Sequence, residues 1–238
     1  MIRTKFINGS QISLSDKCKE IMGSSRNGNI YELNLVNIFY TKIIKRNKNP
    51  IFIDIGSNTG SYSLLPTFDK NVICHAFEPN IHAFNVLNEN VKLNNIENNV
   101  FTYKNGFWSS KKTLYLKVPL DKTDSGLSTF GDNPTRFKYD KKSGKYEEQM
   151  VECLTVDDFV MEKNLIIDAI KIDTEGAELD ILKGAVKTLK EQKPLLLLEY
   201  DDKNTQQFNY LKLEIKKFLE DVGYNGFDLY KLSDIFVY

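Results

Sequence analysis

The 238-residue chain carries no net charge, because 32 Lys and Arg balance 32 Asp and Glu. Without a field of one sign nothing recruits a polyanion, so neither nucleic acid nor an anionic membrane is an expected partner. Long apolar runs are also missing. The stretch from Leu195 to Leu198 is far too short to cross a bilayer, and no signal-like segment opens the chain. A soluble, cytoplasmic protein without membrane insertion is therefore expected. Cysteine is scarce: Cys18, Cys74 and Cys153 are odd in number and far apart, which fits neither a disulfide framework nor a zinc cluster. Cys74 and Cys153 fall in strand-like runs, where a small thiol packs as a hydrophobe. There is no internal repeat, and the length suits one large domain.

What the chain does have is Ile51-Phe-Ile-Asp-Ile-Gly-Ser-Asn-Thr-Gly60, a β-type apolar run that ends in an acid and opens into a glycine turn. Gly56 and Gly60 can adopt backbone angles closed to other residues and let main-chain N–H groups approach a ligand. Asp54 falls at the carboxyl end of the strand, where open α/β sheets bind ligands. The spacing is Gly-x-x-x-Gly, so the Gly-x-Gly-x-x-Gly fingerprint for a dinucleotide pyrophosphate is missing. Taken alone, the segment suits a nucleotide-like cofactor loop or a tight structural turn.

Around it, strand and helix signals alternate. An amphipathic helix begins at Asn29, with an Asn29–Glu32 capping box ahead of Leu35, Val36, Phe39 and Ile43. Strands are expected over Ile51–Ile55, Val72–Phe77, Val100–Lys104, Thr113–Val118, Gln149–Leu154, Ala169–Ile172 and Pro194–Glu199. A short antiparallel pair over Phe227–Tyr230 and Ile235–Tyr238 should close the sheet edge. Helices are expected over Ser61–Phe68, Asn80–Asn94, Ala177–Leu189 and Gln206–Val222, with Thr155 capping another. Such alternation implies right-handed parallel crossovers. The first 28 residues read as an arm with little regular structure. The polar stretch Asp121 to Glu148 reads as a mobile cover over an active site.

Glu78, in Phe77-Glu-Pro-Asn80, lies 22 residues after Gly56, where an acid can accept both ribose hydroxyls of an adenosine. Together with Asp54–Gly60, Phe77–Asn80 and Pro194-Leu-Leu-Leu-Leu-Glu199, the segment Ile170-Lys-Ile-Asp-Thr-Glu-Gly-Ala-Glu-Leu-Asp-Ile-Leu-Lys-Gly-Ala185 closely resembles the FkbM-type family of S-adenosylmethionine-dependent methyltransferases. The four motifs occur in the family's order, from about residue 50 to 200. The resemblance implies an α/β class I methyltransferase (Rossmann-like) fold, with a seven-stranded, mostly parallel sheet and helices on both faces. It also implies S-adenosyl-L-methionine as cofactor and, usually, methylation of a hydroxyl. Residues 1–49 would form an arm and covering helix. Residues 50–238 would form the methyltransferase domain, with the polar segment 119–148 inserted.

By position, the resemblance places Asp54, Gly56, Ser57, Asn58 and Gly60 under the methionine part of the cofactor, Glu78 at the ribose and Asn105 on the adenine side. Asp173 and Glu175, which end the fourth strand, fall next to the reactive methyl and become the catalytic candidates. Trp108 could flank the adenine or belong to the core. A hydroxyl acceptor must lose its proton during attack, so a base or a metal is needed. Asp173, Glu175, His82 and Glu199 could serve as base, while His75 and Glu178 read as structural. An alternative Mg²⁺ site would use Asp173, Asp201 and Asp202. The expected partner is a small-molecule or glycan hydroxyl acceptor: a sugar, glycolipid or polyketide-like compound. The competing readings are an NAD-dependent oxidoreductase, for which a Tyr-x-x-x-Lys pair in a suitable helix is missing, and a catalytically silent subunit that keeps the fold.

Overall fold

The computed structural model describes residues 1–18, 30–120, 126–131, 146–230 and 234–238. In chain order its strands are β1 (Ile2–Lys5), β2 (Gln11–Leu14), β3 (Ile51–Ile55), β4 (Ile73–Phe77), β5 (Val100–Tyr103), β6 (Gly106–Phe107), β7 (Lys112–Pro119), β8 (Tyr146–Leu154), β9 (Ala169–Ile172), β10 (Leu195–Glu199), β11 (Phe227–Tyr230) and β12 (Asp234–Val237). Its helices are α1 (Leu33–Arg46), α2 (Ile81–Leu93), α3 (Val156–Lys163), α4 (Glu178–Lys183), α5 (Val186–Gln192), α6 (Asp202–Thr205) and α7 (Lys212–Asp221).

Seven strands form the main sheet in the order β11-β12-β10-β9-β3-β4-β5. From β10 to β5 all neighbours are parallel, and β12 runs antiparallel to both β10 and β11. This is the seven-stranded, mostly parallel α/β sheet expected from the motifs, with the antiparallel pair at one edge. The chain leaves β3 toward β4 and β5 on one side and later builds β9 and β10 on the other. The order thus reverses between β3 and β9, where diverging loops open a crevice at the carboxyl ends of the strands.

Period-two alternation sends side chains to opposite faces. Ile53, Ile55, Ile170 and Ile172 pack with α3, α4, α5 and α7 through Phe159, Leu182, Leu189 and Ile215. Phe52, Cys74, Ala76 and Ala169 pack with α1 and α2 through Phe39, Ile43 and Leu87. Each large apolar side chain buried this way contributes about 1.5–3 kcal/mol. All three cysteines are free and buried, and burial pushes their thiols up, so they pack as neutral side chains.

Several elements differ from the sequence expectation. The first residues form an antiparallel hairpin, β1 with β2, that buries Phe6, Ile7, Ile12 and Leu14; four-residue strands are too short to show a period. Asn90 of α2 and Asn94, which caps its end, hold the hairpin by accepting the Ser15 N–H (2.7 Å) and the Ser13 N–H (2.9 Å). Helix α1 starts at Leu33 after Glu32 in the left-handed region (φ 54), while Asn29 lies outside the described residues. Ser61–Phe68 is a run of turns ending in one 3-10 turn at Leu65–Thr67, where Pro66 has no N–H to continue a helix.

The expected Ala177–Leu189 helix is two helices. Asp157 of α3 accepts the N–H groups of Lys187 (2.9 Å) and Thr188 (2.7 Å), which starts α5 afresh. The Gln206–Val222 helix is likewise shortened to Lys212–Asp221, because Asn209 at φ 60 interrupts it. Strand β8 begins at Tyr146, inside the polar stretch, whose residues 121–125 and 132–145 lie outside the described residues. It pairs with β7 and β6 in a separate three-stranded sheet.

Asn90 also donates to the Thr59 carbonyl (2.8 Å), so one buried amide joins the hairpin to the loop after β3. Asn90→Ala strands a buried N–H and a buried carbonyl together. It is expected to lower unfolding free energy by roughly 2–4 kcal/mol, read from the urea midpoint at unchanged slope.

Candidate functional site

The loop after β3 is folded by its own backbone. Gly56 and Gly60 have φ of 75 and 101, and Asn58 shares the left-handed region at φ 48. A Cβ on Gly56 would lie 1.9 Å from the carbonyl oxygen of Asp173, so only glycine lets this loop touch the end of β9. Gly56 and Ser57 both donate their N–H to the Phe77 carbonyl at 3.0 Å, and the Ser57 hydroxyl donates to the Asp54 carbonyl at 2.8 Å. The Asn58 amide oxygen is buried and, among the described residues, takes no hydrogen bond.

Glu78 ends β4 beside this loop. Its carboxylate accepts the Asn58 N–H at 2.7 Å through one oxygen and the Asn80 N–H at 2.8 Å through the other, which ties the two loops together. Burial pushes its carboxyl up to about 7, against the opposing pull of those two N–H groups.

Beneath the crevice lies Lys171, a residue that motif reading passes over as part of a buried strand. In the parallel register it stands beside Asp54, on the face that packs against α1 and α2. Only 4% exposed, it donates to the Gly56 carbonyl at 2.7 Å and pairs with Asp54 at 3.4 Å and Asp173 at 3.5 Å. Burial alone would favour loss of its proton, but the carboxylates of Asp173 and Asp54 outweigh that and hold the ammonium firmly protonated. Asp54 is completely buried and also accepts from the Ser63 hydroxyl at 2.5 Å. A lysine inside the apolar run Ala169–Ile172 was the available signal, since a buried cation requires an acid partner.

Past β9, Glu175 adopts φ 58 and its carboxylate accepts from the Asn204 amide at 2.9 Å. The same amide donates to Glu199 at the end of β10. Carboxylate oxygens of Asp173, Glu175 and Glu199 lie within 4.8 Å of one another. Glu178 folds back to accept from the Thr174 N–H (3.0 Å), the Thr174 hydroxyl (2.9 Å) and the Gly176 N–H (3.2 Å), and so shapes this turn beyond any effect on the helix dipole.

The other candidates have partners of their own. Asp201 caps α6 by accepting the Lys203 N–H, and Asp202 accepts the Lys212 N–H, so Glu199, not these acids, joins Asp173 and Glu175. The Asn105 amide donates to the Glu152 carbonyl of β8 at 3.2 Å. Trp108 is buried, edge-on to Phe130 with centroids 5.9 Å apart, as a core residue would be. His75 stacks on Phe101, and burial, helped by the Lys163 charge, takes its imidazole down to about 4. His82 contacts Glu147 at 2.9 Å. From the polar stretch, residues 126–131 close one side of the crevice: Ser128 accepts from the Asn80 amide at 3.1 Å, and the Thr129 hydroxyl donates to the Glu175 carbonyl at 3.3 Å.

The Methyltransferase FkbM domain family matches residues 54–225. Methyltransferase sdnD of Sordaria araneosa is 28% identical over 200 residues, covering 74% of each chain. The crystal structure of Methyltransferase FkbM from Methylobacillus flagellatus KT superposes with a TM-score of 0.53 at 17% identity, over 80% of this chain and 44% of that one, so this chain spans less than half of its length. The METTL16 MTase domain superposes with a TM-score of 0.51 at 14% identity, over 99% of this chain and 84% of its own. At such identities the superpositions establish the fold alone.

The Glu78 carboxyl has an ordinary value of 4.5 and sits at about 7 in the folded chain. Between those values the folded state holds the extra proton, so the stabilising contribution is complete below 4.5 and is lost as pH rises through about 7. Between about pH 4.5 and pH 8 the wild type should therefore lose roughly 3 kcal/mol more stability than Glu78→Gln. Urea unfolding across that range measures it, and parallel curves for the two proteins would contradict the perturbed carboxyl.

Proposed function

From the premise that this chain belongs to the Methyltransferase FkbM domain family and is a methyltransferase, we propose that it uses S-adenosyl-L-methionine to methylate a hydroxyl oxygen on a sugar, glycan, glycolipid or polyketide-like small molecule. Membership of that family sets the NAD-dependent alternative aside. The observation that carries the cofactor reading is the Glu78 carboxylate, buried at the mouth of the switch-point crevice with one N–H on each oxygen and further lone pairs left to accept ribose hydroxyls. The orphaned Asn58 oxygen beside it suits a cofactor N–H or O–H donor. Asp54, Gly56, Ser57 and Gly60 would line the methionine end together with Asp173, and Asn105 would border the adenine.

Bound there, the cofactor supplies an electrophilic methyl on a sulfonium. The protein's part is to align an acceptor oxygen in line with that methyl, exclude water and take the hydroxyl proton. Asp173, half-exposed into the crevice, and Glu175 are the proposed groups for the last step, since a carboxylate can direct and accept an O–H proton. Segment 126–131, fastened to Asn80 and Glu175, supports an acceptor site bordered by that segment. The charge balance favours a neutral small acceptor over nucleic acid. A cytoplasmic location accords with the described residues, which include no helix long and apolar enough to cross a membrane.

Calorimetry with S-adenosylmethionine and S-adenosylhomocysteine tests the cofactor, and Glu78→Ala is expected to weaken both by roughly 1.5–3 kcal/mol without unfolding the protein. Unaltered affinity in a folded variant would remove Glu78 from the site. In a screen of sugar and polyketide-like hydroxyl compounds with labelled methyl donor, Asp173→Asn should slow transfer by about 10²–10⁴-fold. Near-normal turnover would rule out Asp173 as the proton acceptor.

A further inference from the structure

Lys171 is the only lysine or arginine buried among the described residues, and it touches three oxygens that belong to the two loops lining the crevice. The side chains of Lys171 and Asp54 are 6% and 0% exposed, whereas that of Asp173 is 37% exposed. The ammonium cancels one of the two carboxylates it touches, and the uncancelled charge emerges into the crevice at Asp173, beside the carboxylates of Glu175 and Glu199. The ring of Tyr62, 5.4 Å from the ammonium, closes the inner side. An apolar residue at 171 would leave Asp54 with no countercharge, and an uncompensated buried carboxylate is costly.

Resting on the cofactor site proposed above, we infer that Lys171 is a positioning residue that lowers the negative charge at the methionine end of the crevice by one unit. The negative charge that remains favours a donor carrying one net positive charge, and its size sets how far the sulfonium donor outbinds its net-neutral thioether product. Lys171 does this without touching the ligand: it holds the Gly56 carbonyl and the Asp173 carboxylate in place and cancels Asp54. A lysine serving only to stabilise the fold would change the affinity for donor and product by the same factor. A lysine that sets the charge changes their ratio.

The test is the ratio of S-adenosylmethionine to S-adenosylhomocysteine affinity, measured by calorimetry on the full chain, with thermal melts confirming that each variant is folded. Asp54→Asn removes one unit of negative charge from the site, and the ratio should fall by on the order of tenfold, the effect of one charge across a partly screened gap. Adding Lys171→Met to Asp54→Asn restores one negative charge, and the ratio should return to within about twofold of wild type even if both affinities drop, because the charge difference is again the same. Lys171→Arg should keep the wild-type ratio. If the single variant keeps the wild-type ratio, or the double variant shares the lowered ratio of the single one, the inference fails. If the wild type binds neither ligand, the cofactor reading is what fails.

Discussion

A buried ammonium between two carboxylates ties this structure together. Lys171 reaches from β9 to the Gly56 carbonyl, Asp54 and Asp173, and thereby joins the strands on either side of the point where the sheet order reverses. Burying the Lys171 ammonium and the Asp54 carboxylate is favourable only when each is compensated, and the register that sets Asp54 beside Lys171 supplies that compensation. The close approach of Gly56 to the Asp173 carbonyl is the backbone counterpart of the same contact.

Around that centre, buried polar side chains join segments distant in sequence. Glu78 links the loops after β3 and β4, Glu178 shapes the turn after β9, and Asn204 holds Glu175 against Glu199. Each satisfies backbone or side-chain groups that an open crevice would otherwise leave without partners. The crevice is polar and well defined because its walls are hydrogen-bonded to one another, while the two apolar cores lie on either face of the sheet behind it.

Family membership gives the activity at the level of methyl transfer, and the arrangement at the crevice bears on its chemistry. Three carboxylates crowd its floor at Asp173, Glu175 and Glu199, with the Asn204 amide donating to two of them. Segment 126–131, part of a stretch with little sequence pattern, is fastened to both the Asn80 and Glu175 sides. Segment 126–131 is thus built into the crevice rather than merely adjacent to it.

The strands of the main sheet were legible in the sequence because most are short apolar runs bounded by glycine, proline, asparagine or aspartate, and such signals are local. The acids at the ends of β3, β4 and β9 were legible too, since a carboxylate that closes an apolar run stands out against it. The broken helices at Gly184 and Asn209 and the hairpin at residues 2–14 were not. Helical periodicity continues through Ala177–Leu189, and only Asp157, brought from α3, starts α5 separately. The hairpin depends on Asn90 and Asn94, more than seventy residues along the chain. Lys171 shows the same division. Its presence within an apolar strand was written in the sequence, but its partners come from two other segments, and only the parallel register of β3 with β9 decided which acids would face it. Local pattern determines elements and the residue types at their ends; ion pairs and caps between elements depend on distances that exist only once the chain has folded.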